Sequence, residues 1–554
     1  MSEYARRRSS ARARPTRVRA WIGLATVCVA ILGYERLPAQ AESPSASTRL
    51  FREQAPDWSA DDLEFFLHGS MGTEVVPELV LQAFRATFPD LFPGGDLTAF
   101  GLIGRREDES PIGVSRRSVP HLGGLRSIGI NCASCHVTAI VPTDGGAPAR
   151  ILGVTSHFDA EAFFGAVAAG TFQTSDPANM SRFLTYYFEA CEPGASAEAR
   201  TSLASALREQ SESIAAAITQ HQAEERASPS EKLYELDATT LMLDAASLDR
   251  NRELTPLVRS LMRLFHNMRA ALHIPHTPPA QAPPRSGPGR NNAFGVLSVA
   301  LFGEPTLYGP AKFGPAWNLQ DRTWVHWDGN TRSPIVRNLA ASLGLGAPLS
   351  GKKGIVDFAL VERHTRLSEQ IRAPCYPWKI DEALAGRGRV HFDAHCASCH
   401  VRPRAEEDLR LYAVEDVKTD PNRARMFNDH QASLYNKFFA ELEVPGYKPS
   451  SEPPVRSTQK YVAVDLAGVW ARSPYLHNGS VRTMLGLLTP AGQRAKTFQR
   501  GARGYDTSAM GYIDAGPYVL DTTTDGNANT GHEYGTAELT DVEKRELIEF
   551  LKTL

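Results

Sequence analysis

Cys132-Ala133-Ser134-Cys135-His136 and Cys396-Ala397-Ser398-Cys399-His400 are two copies of one pattern in a chain of 554 residues. Two thiols so spaced can add across the two vinyl groups of a haem, and the histidine that follows can bind the iron from one side. Cys-x-x-Cys also serves zinc sites and redox dithiols. A zinc site made from both hooks leaves both histidines without a role. A redox pair gives no reason for the repeat. The two motifs therefore predict two covalently bound c-type haems, with His136 and His400 as proximal ligands. Function then depends on what lies on the far side of each iron.

The N-terminus fits a haem protein matured outside the cytoplasm. Arg6, Arg7, Arg8, Arg12, Arg14, Arg17 and Arg19 precede an apolar stretch over residues 20–34, and Ala39-Gln40-Ala41 forms a small-residue cleavage site. The apolar stretch is shorter than the ~20 residues of a spanning helix. Residues 1–41 are thus expected to be a signal peptide, with an uncleaved anchor as the alternative. The mature protein is expected to be periplasmic or secreted, with no membrane span. Cleavage removes eight arginines and two glutamates, moving the formal charge from −2 to about −8. That balance argues against nucleic acid as a partner. Of seven cysteines, Cys28 leaves with the signal and four carry haem. Cys191 and Cys375 remain in an oxidising compartment, where a disulfide between them is one outcome.

The mature length and two haem hooks predict at least two domains. The expected fold class is mainly α: two cytochrome c-like haem domains with a helical insertion and extensive irregular loops. The N-terminal haem domain is placed at 42–350 and the C-terminal one at 376–554. Helices are expected over 61–68 and 77–88. Apolar spacing of three and four predicts a helical insertion at about 157–275, with helices over 158–169, 195–225 and 233–272. Residues 276–284 read as an extended proline-rich connector. Residues 287–350, rich in Gly, Asn and Trp, read as irregular structure laid against the haems. Thr540-Asp541-Val542-Glu543 is a capping box, and Leu547, Ile548, Leu551 and Leu554 give the last helix its apolar stripe.

Several segments carry a resemblance. They are Pro111-Ile112-Gly113-Val114, Ile130-Asn131 before the first hook, Gly289-Arg290-Asn291-Asn292-Ala293-Phe294-Gly295, and Trp327-Asp328-Gly329-Asn330. Arg337-Asn338-Leu339, Tyr475-Leu476-His477-Asn478-Gly479-Ser480 and Gly526-Asn527-Ala528-Asn529-Thr530-Gly531-His532-Glu533-Tyr534-Gly535 complete the set. With the two hooks they resemble the di-haem cytochrome c peroxidase and MauG superfamily, most closely its rubber-oxygenase-like (RoxA/RoxB) branch.

The resemblance implies roles. Where the peroxidases place a methionine ligand this chain has Ala491. His532, in a Gly-His-x-x-Gly context, matches the histidine that closes a bis-histidine haem in the rubber oxygenases; a structural histidine is the alternative. A haem ligated on both faces suits electron storage, leaving the haem on His136 as the reactive centre. Trp327 matches the inter-haem tryptophan, a relay unless it merely packs. The positions of the peroxidase distal Gln and Glu fall on Arg337 and Ala347, so the proton-moving acid is missing. This favours O2 and an apolar organic substrate, of the alkene or polyisoprenoid type, over H2O2. His326 and Ser342 depart from the aromatic residues of the rubber oxygenases and make the pocket more polar. His326 could donate a hydrogen bond to O2, bind iron at rest, or face a carbonyl. His121, His157 and His477 could also approach an iron. The alternatives are a MauG-like or peroxidase enzyme using H2O2, and a pure electron-transfer cytochrome. A small redox protein as electron donor and a calcium ion between the domains are further expectations from the resemblance.

Overall fold

A computed structural model describes residues 50–104, 110–122, 125–174, 177–191, 285–320, 322–350, 353–354, 356–401, 409–535 and 538–554, with a few positions between 196 and 205. The expected signal peptide, the helices over 195–225 and 233–272 and the connector at 276–284 lie outside the described residues or almost wholly so. No helix among the described residues is long and apolar enough to cross a membrane.

The approach to the first hook is a small antiparallel sheet. Its strands run in the order Glu74–Pro77, Arg126–Ile130, Val114–Ser118, with Val114 opposite Ile130. The central strand delivers Asn131 as N-cap of the Cys132–His136 helix, its side chain accepting from Ala133 N at 2.9 Å. Gly113 lies beneath this turn at φ +92°, and a Cβ there would sit 2.3 Å from Ser134 Cα. Only glycine meets both conditions without strain.

Directly after His136 the chain forms the strand Val137–Pro142, antiparallel to Ala149–Leu152. Its other edge pairs in parallel with Gly504–Asp506, which continues antiparallel to Gly511–Tyr512. A strand from the C-terminal region thus completes the sheet behind the first hook. The core follows the same plan: Ile140 and Ile151 share one buried cluster with Trp317, Trp470, Tyr505 and Leu547. The boundaries read from the sequence do not separate two cores. A second cluster is aromatic, with Phe84, Phe100, Phe158, Phe163 and Phe183, and packs the helices Glu78–Thr87, Ala160–Gln173 and Pro177–Cys191. A third joins Leu339, Phe427, Tyr435 and Phe439.

Helices near 61–68, 77–88 and 158–169 occur as Ala60–His68, Glu78–Thr87 and Ala160–Gln173. Residues 287–350 are less irregular than expected, since they contain the helices Ala293–Phe302 and Pro334–Gly344. The first is apolar all round and presents no 3.6-residue stripe to read. The second begins with proline in its first turn, where the missing N–H costs nothing. The closing helix, Asp541–Leu551, has both capping-box hydrogen bonds and packs on the Glu382–His395 helix that leads into the second hook. Gly388 permits this contact: a Cβ there would lie 1.9 Å from the Glu546 carbonyl oxygen.

Candidate haem sites

The second hook opens onto a cavity whose space, open mouth included, is about 1420 Å³. Cys396, Cys399 and His400 line it from one side and His532 from the other, with Trp327, Tyr461, Met484, Leu487 and Leu551 among the remaining walls. The His400 and His532 rings are 6.1 Å apart between centroids and tilted by 43°. A metal about 2 Å from a nitrogen of each ring requires centroids roughly 6 Å apart, so the pair fits the two faces of one iron. His400 Nδ1 donates to the Val464 carbonyl at 2.9 Å, leaving Nε2 as the free lone pair. Burial holds the His400 pKa below its ordinary value. Burial, then the fields of His400 and Arg494, push His532 down to about 4. Both rings are therefore neutral at pH 7 and able to ligate.

The Gly-His-x-x-Gly context has a structural reason. His532 has φ +57° and its N–H donates to Val417 O at 3.0 Å. Gly531 (φ +75°) and Gly535 (φ +77°) lie so close to neighbours that a Cβ would sit 2.3 Å from Val417 O and 2.2 Å from His395 Nδ1 respectively. Arg494 fastens the loop by donating to the carbonyls of Asn529 (2.6 Å) and Gly531 (2.9 Å). A non-glycine residue held in the left-handed region by so many contacts marks a position with a function.

At the first hook Cys132, Cys135 and His136 are half-buried. Burial raises the thiols to about 11 for Cys132 and about 12 for Cys135. These surroundings suit uncharged sulfur, as in thioethers. His136 is pushed down to about 3 by burial and by Arg337; the Gly314 carbonyl opposes this without reaching the geometry of a hydrogen bond to Nδ1. Its ring faces Phe313 at 6.3 Å.

The residues expected around the first haem divide. His326, at φ +77°, is engaged through Nδ1 with Asn330 Oδ1 at 2.8 Å and is edge-on to Phe294 at 5.3 Å. Burial and the charges of Arg423 and Arg337 push its pKa to about 3. The carbonyl it faces is thus that of the Asn330 side chain. Ser342 is fully buried and its hydroxyl donates to Met71 O at 2.7 Å. It reaches the hook only at second hand, through Met71, whose sulfur lies 3.4 Å from Cys132 Sγ. Arg337 exerts its field on Cys132, His136 and His326. Burial raises the Glu369 carboxyl pKa, and the field of Arg337 opposes it. The sequence reading assigned Glu369 no role, because it lies far along the chain from the position where the peroxidases carry their acid.

Trp327 stands between the two regions. It lines the second cavity and donates Nε1–H to Lys312 O at 3.1 Å. Its ring is 3.8 Å from where a Cβ on Gly314 would lie, one residue beyond Phe313. The Trp-Asp-Gly-Asn turn is pinned throughout. Trp327 O accepts from Val462 N at 2.9 Å, and Asp328 holds Arg423 in a buried two-point ion pair at 2.8 and 3.1 Å.

Other expectations were resolved by the same geometry. His477 is in the wall of the second cavity, stacked on Tyr461 at 4.5 Å and hydrogen-bonded to its hydroxyl at 3.2 Å. His157 packs edge-on against Tyr512 at 4.6 Å, and the residue before it, Ser156, donates its N–H to Cys135 O of the first hook at 3.0 Å. The His121 and Cys191 side chains lie outside the described residues, and Cys375 is exposed and not in a disulfide. No cluster of three or more His, Cys, Asp or Glu side chains gathers among the described residues for a calcium ion. Lys312 ties its own segment to a distant one, its ammonium donating to the carbonyls of Arg472 and of Pro474 (2.6 Å).

Comparison with known proteins bears on the same walls. The chain is 33% identical over 290 residues to the uncharacterized protein y4iM of Sinorhizobium fredii, covering 46% of this chain and 65% of that protein. It is 27% identical over 326 residues to the uncharacterized protein y4iJ of the same organism, covering 44% of this chain and 55% of that protein. The chain thus spans less than two thirds of either relative. Residues 460–499 match the family described as RoxA-like, cytochrome c-like, and they include Tyr461, Val464, Arg472, Tyr475, His477 and Met484 of the second cavity. Over residues 460–499 the chain is therefore similar to a RoxA-like, cytochrome c-like domain, which implies covalently bound haem iron.

Proposed function

We propose that this protein is an exported di-haem c-type oxidoreductase, built mainly of α-helix around two cytochrome c-like haem units. Cys396, Cys399, His400 and His532 would hold one haem, which would supply electron storage and relay. Cys132, Cys135 and His136 would hold the other, which would supply the O2 chemistry for oxidising an apolar substrate of the alkene or polyisoprenoid type. When bound, haem supplies one-electron and O2 chemistry. The protein's own residues do the rest. Trp327 couples the two centres through Lys312, Phe313 and Gly314. His326, neutral and oriented by Asn330, is a donor or acceptor for the first pocket. The observation that carries the proposal is the facing pair of neutral imidazoles, His400 and His532, across the cavity of the second hook.

Glu369 favours a second reading. A carboxyl of raised pKa in the field of Arg337 would suit proton transfer, which peroxide cleavage requires. Dissolved-oxygen uptake by the purified holoprotein on cis-polyisoprene latex, without peroxide or external reductant, separates the two. Sustained uptake with carbonyl-ended fragments supports the oxygenase. No uptake, together with rapid turnover of H2O2, supports the peroxidase.

A further inference from the structure

The second cavity is mostly apolar, yet two of its lining residues are buried cations, Lys312 and Arg472, and none is a carboxylate. Lys312 is committed to the carbonyls of Arg472 and Pro474. Arg472 is not. It is 5% exposed, its guanidinium stands 5.3 Å from the centroid of the Trp317 ring, and of its nitrogens only Nη2 has a hydrogen bond, donated to Ala467 O at 2.6 Å. Its Nε and Nη1 are buried and without partners. The carboxylate whose field it feels most, Asp465, faces Arg322 at 3.8 Å and accepts from Ala467 N. A guanidinium left in this condition is strongly disfavoured unless an anion completes it.

The occupant that answers this description is a flat apolar body bearing carboxylates. We infer that Arg472 anchors a propionate of the haem held by Cys396, Cys399, His400 and His532. In a porphyrin attached through its vinyl positions the carboxylates leave from the opposite edge. Arg472 lies at the end of the short helix Val469–Arg472, on a segment remote in sequence from the thioether hook. The contact continues into the electron path. Lys312 donates from its ammonium to Arg472 O and accepts from Trp327 Nε1 at its own carbonyl. Arg472 is thus a positioning residue that links the haem edge to Trp327 and compensates a negative charge beside the iron.

This inference rests on the di-haem reading above, and its test keeps the two apart. The haem content and ferric low-spin spectrum of the wild-type holoprotein are recorded first. The reduction potential of the low-spin haem is then compared in wild type, Arg472→Gln and Arg472→Lys. Removing the cation leaves the propionate charge uncompensated and favours ferric iron. The potential of Arg472→Gln is expected to fall below that of wild type, and Arg472→Lys to restore most of the difference. An unchanged potential in Arg472→Gln with both haems present overturns the inference and leaves the di-haem reading standing. A wild-type protein with no haem on the second hook overturns both. If Arg472→Gln does not mature, the resonance Raman propionate-bending band decides between wild type and Arg472→Lys: a displaced band is expected, and an unmoved band overturns the inference.

Discussion

His532 shows how a residue's role can be set by its backbone. A left-handed conformation between two glycines that admit no Cβ, with Arg494 fastened to the preceding carbonyls, aims one imidazole at another. Trp327 is fixed as firmly, by Lys312, Val462 and the Asp328–Arg423 pair. Trp327→Phe keeps an aromatic ring, though a smaller one, and loses the bond to Lys312 O. It is expected to slow electron transfer between the haems in flash-reduction kinetics while leaving both potentials in place. His364 carries a different prediction. It is fully buried, its Nε2 faces Gly69 O at 3.2 Å, and burial pushes its pKa from 6.5 to about 4. A histidine depressed in this way contributes stability that is present above pH 6.5 and lost as pH falls towards 4. The loss by pH 5 is about 2 kcal/mol, so the urea midpoint should drop between pH 7 and 5, and by less in His364→Phe. His532 and Trp327 were legible because motif spacing along the chain marks them. Glu369 and Arg472 were not, because their meaning lies in which partners they meet or lack in three dimensions.

At the scale of elements, the best-read feature is the closing helix, whose cap and stripe are local and whose partner is the helix that leads into the second hook. Thr540→Ala removes the cap and is expected to cost about 1 kcal/mol in thermal unfolding. Gly388→Ala places a methyl group against the Glu546 carbonyl. The two helices must separate, and the loss is expected to reach about 1–3 kcal/mol. Equal stability of the Gly388 variant and wild type would show that the helix contact is looser than described. The helices Ala293–Phe302 and Pro334–Gly344 escaped the sequence reading for a physical reason. An all-apolar helix has no face to detect, and a short helix inside a glycine- and tryptophan-rich stretch is held by tertiary packing against residues such as Tyr435 and Phe439.

At the scale of the molecule, the two hooks are read at once from the sequence, but the sharing of one core between the chain's halves is not. The strand Gly504–Asp506 beside Val137–Pro142, and the cluster joining Ile140, Trp470 and Leu547, depend on pairing over some 360 residues of chain. No local pattern records such a pairing. Residues 42–350 and 376–554 produced separately are therefore expected not to fold cooperatively or to hold a full haem complement, as read by urea unfolding and pyridine haemochrome. Independent, fully loaded halves would contradict the shared core.

The central claim is that the second haem is closed on both faces and the first is open to a small ligand. Carbon monoxide stoichiometry of the reduced holoprotein tests it most directly. The account predicts one CO per chain in wild type and two in His532→Ala, with the added site showing the spectrum of the second haem. Two CO per chain in wild type, or none, would contradict it.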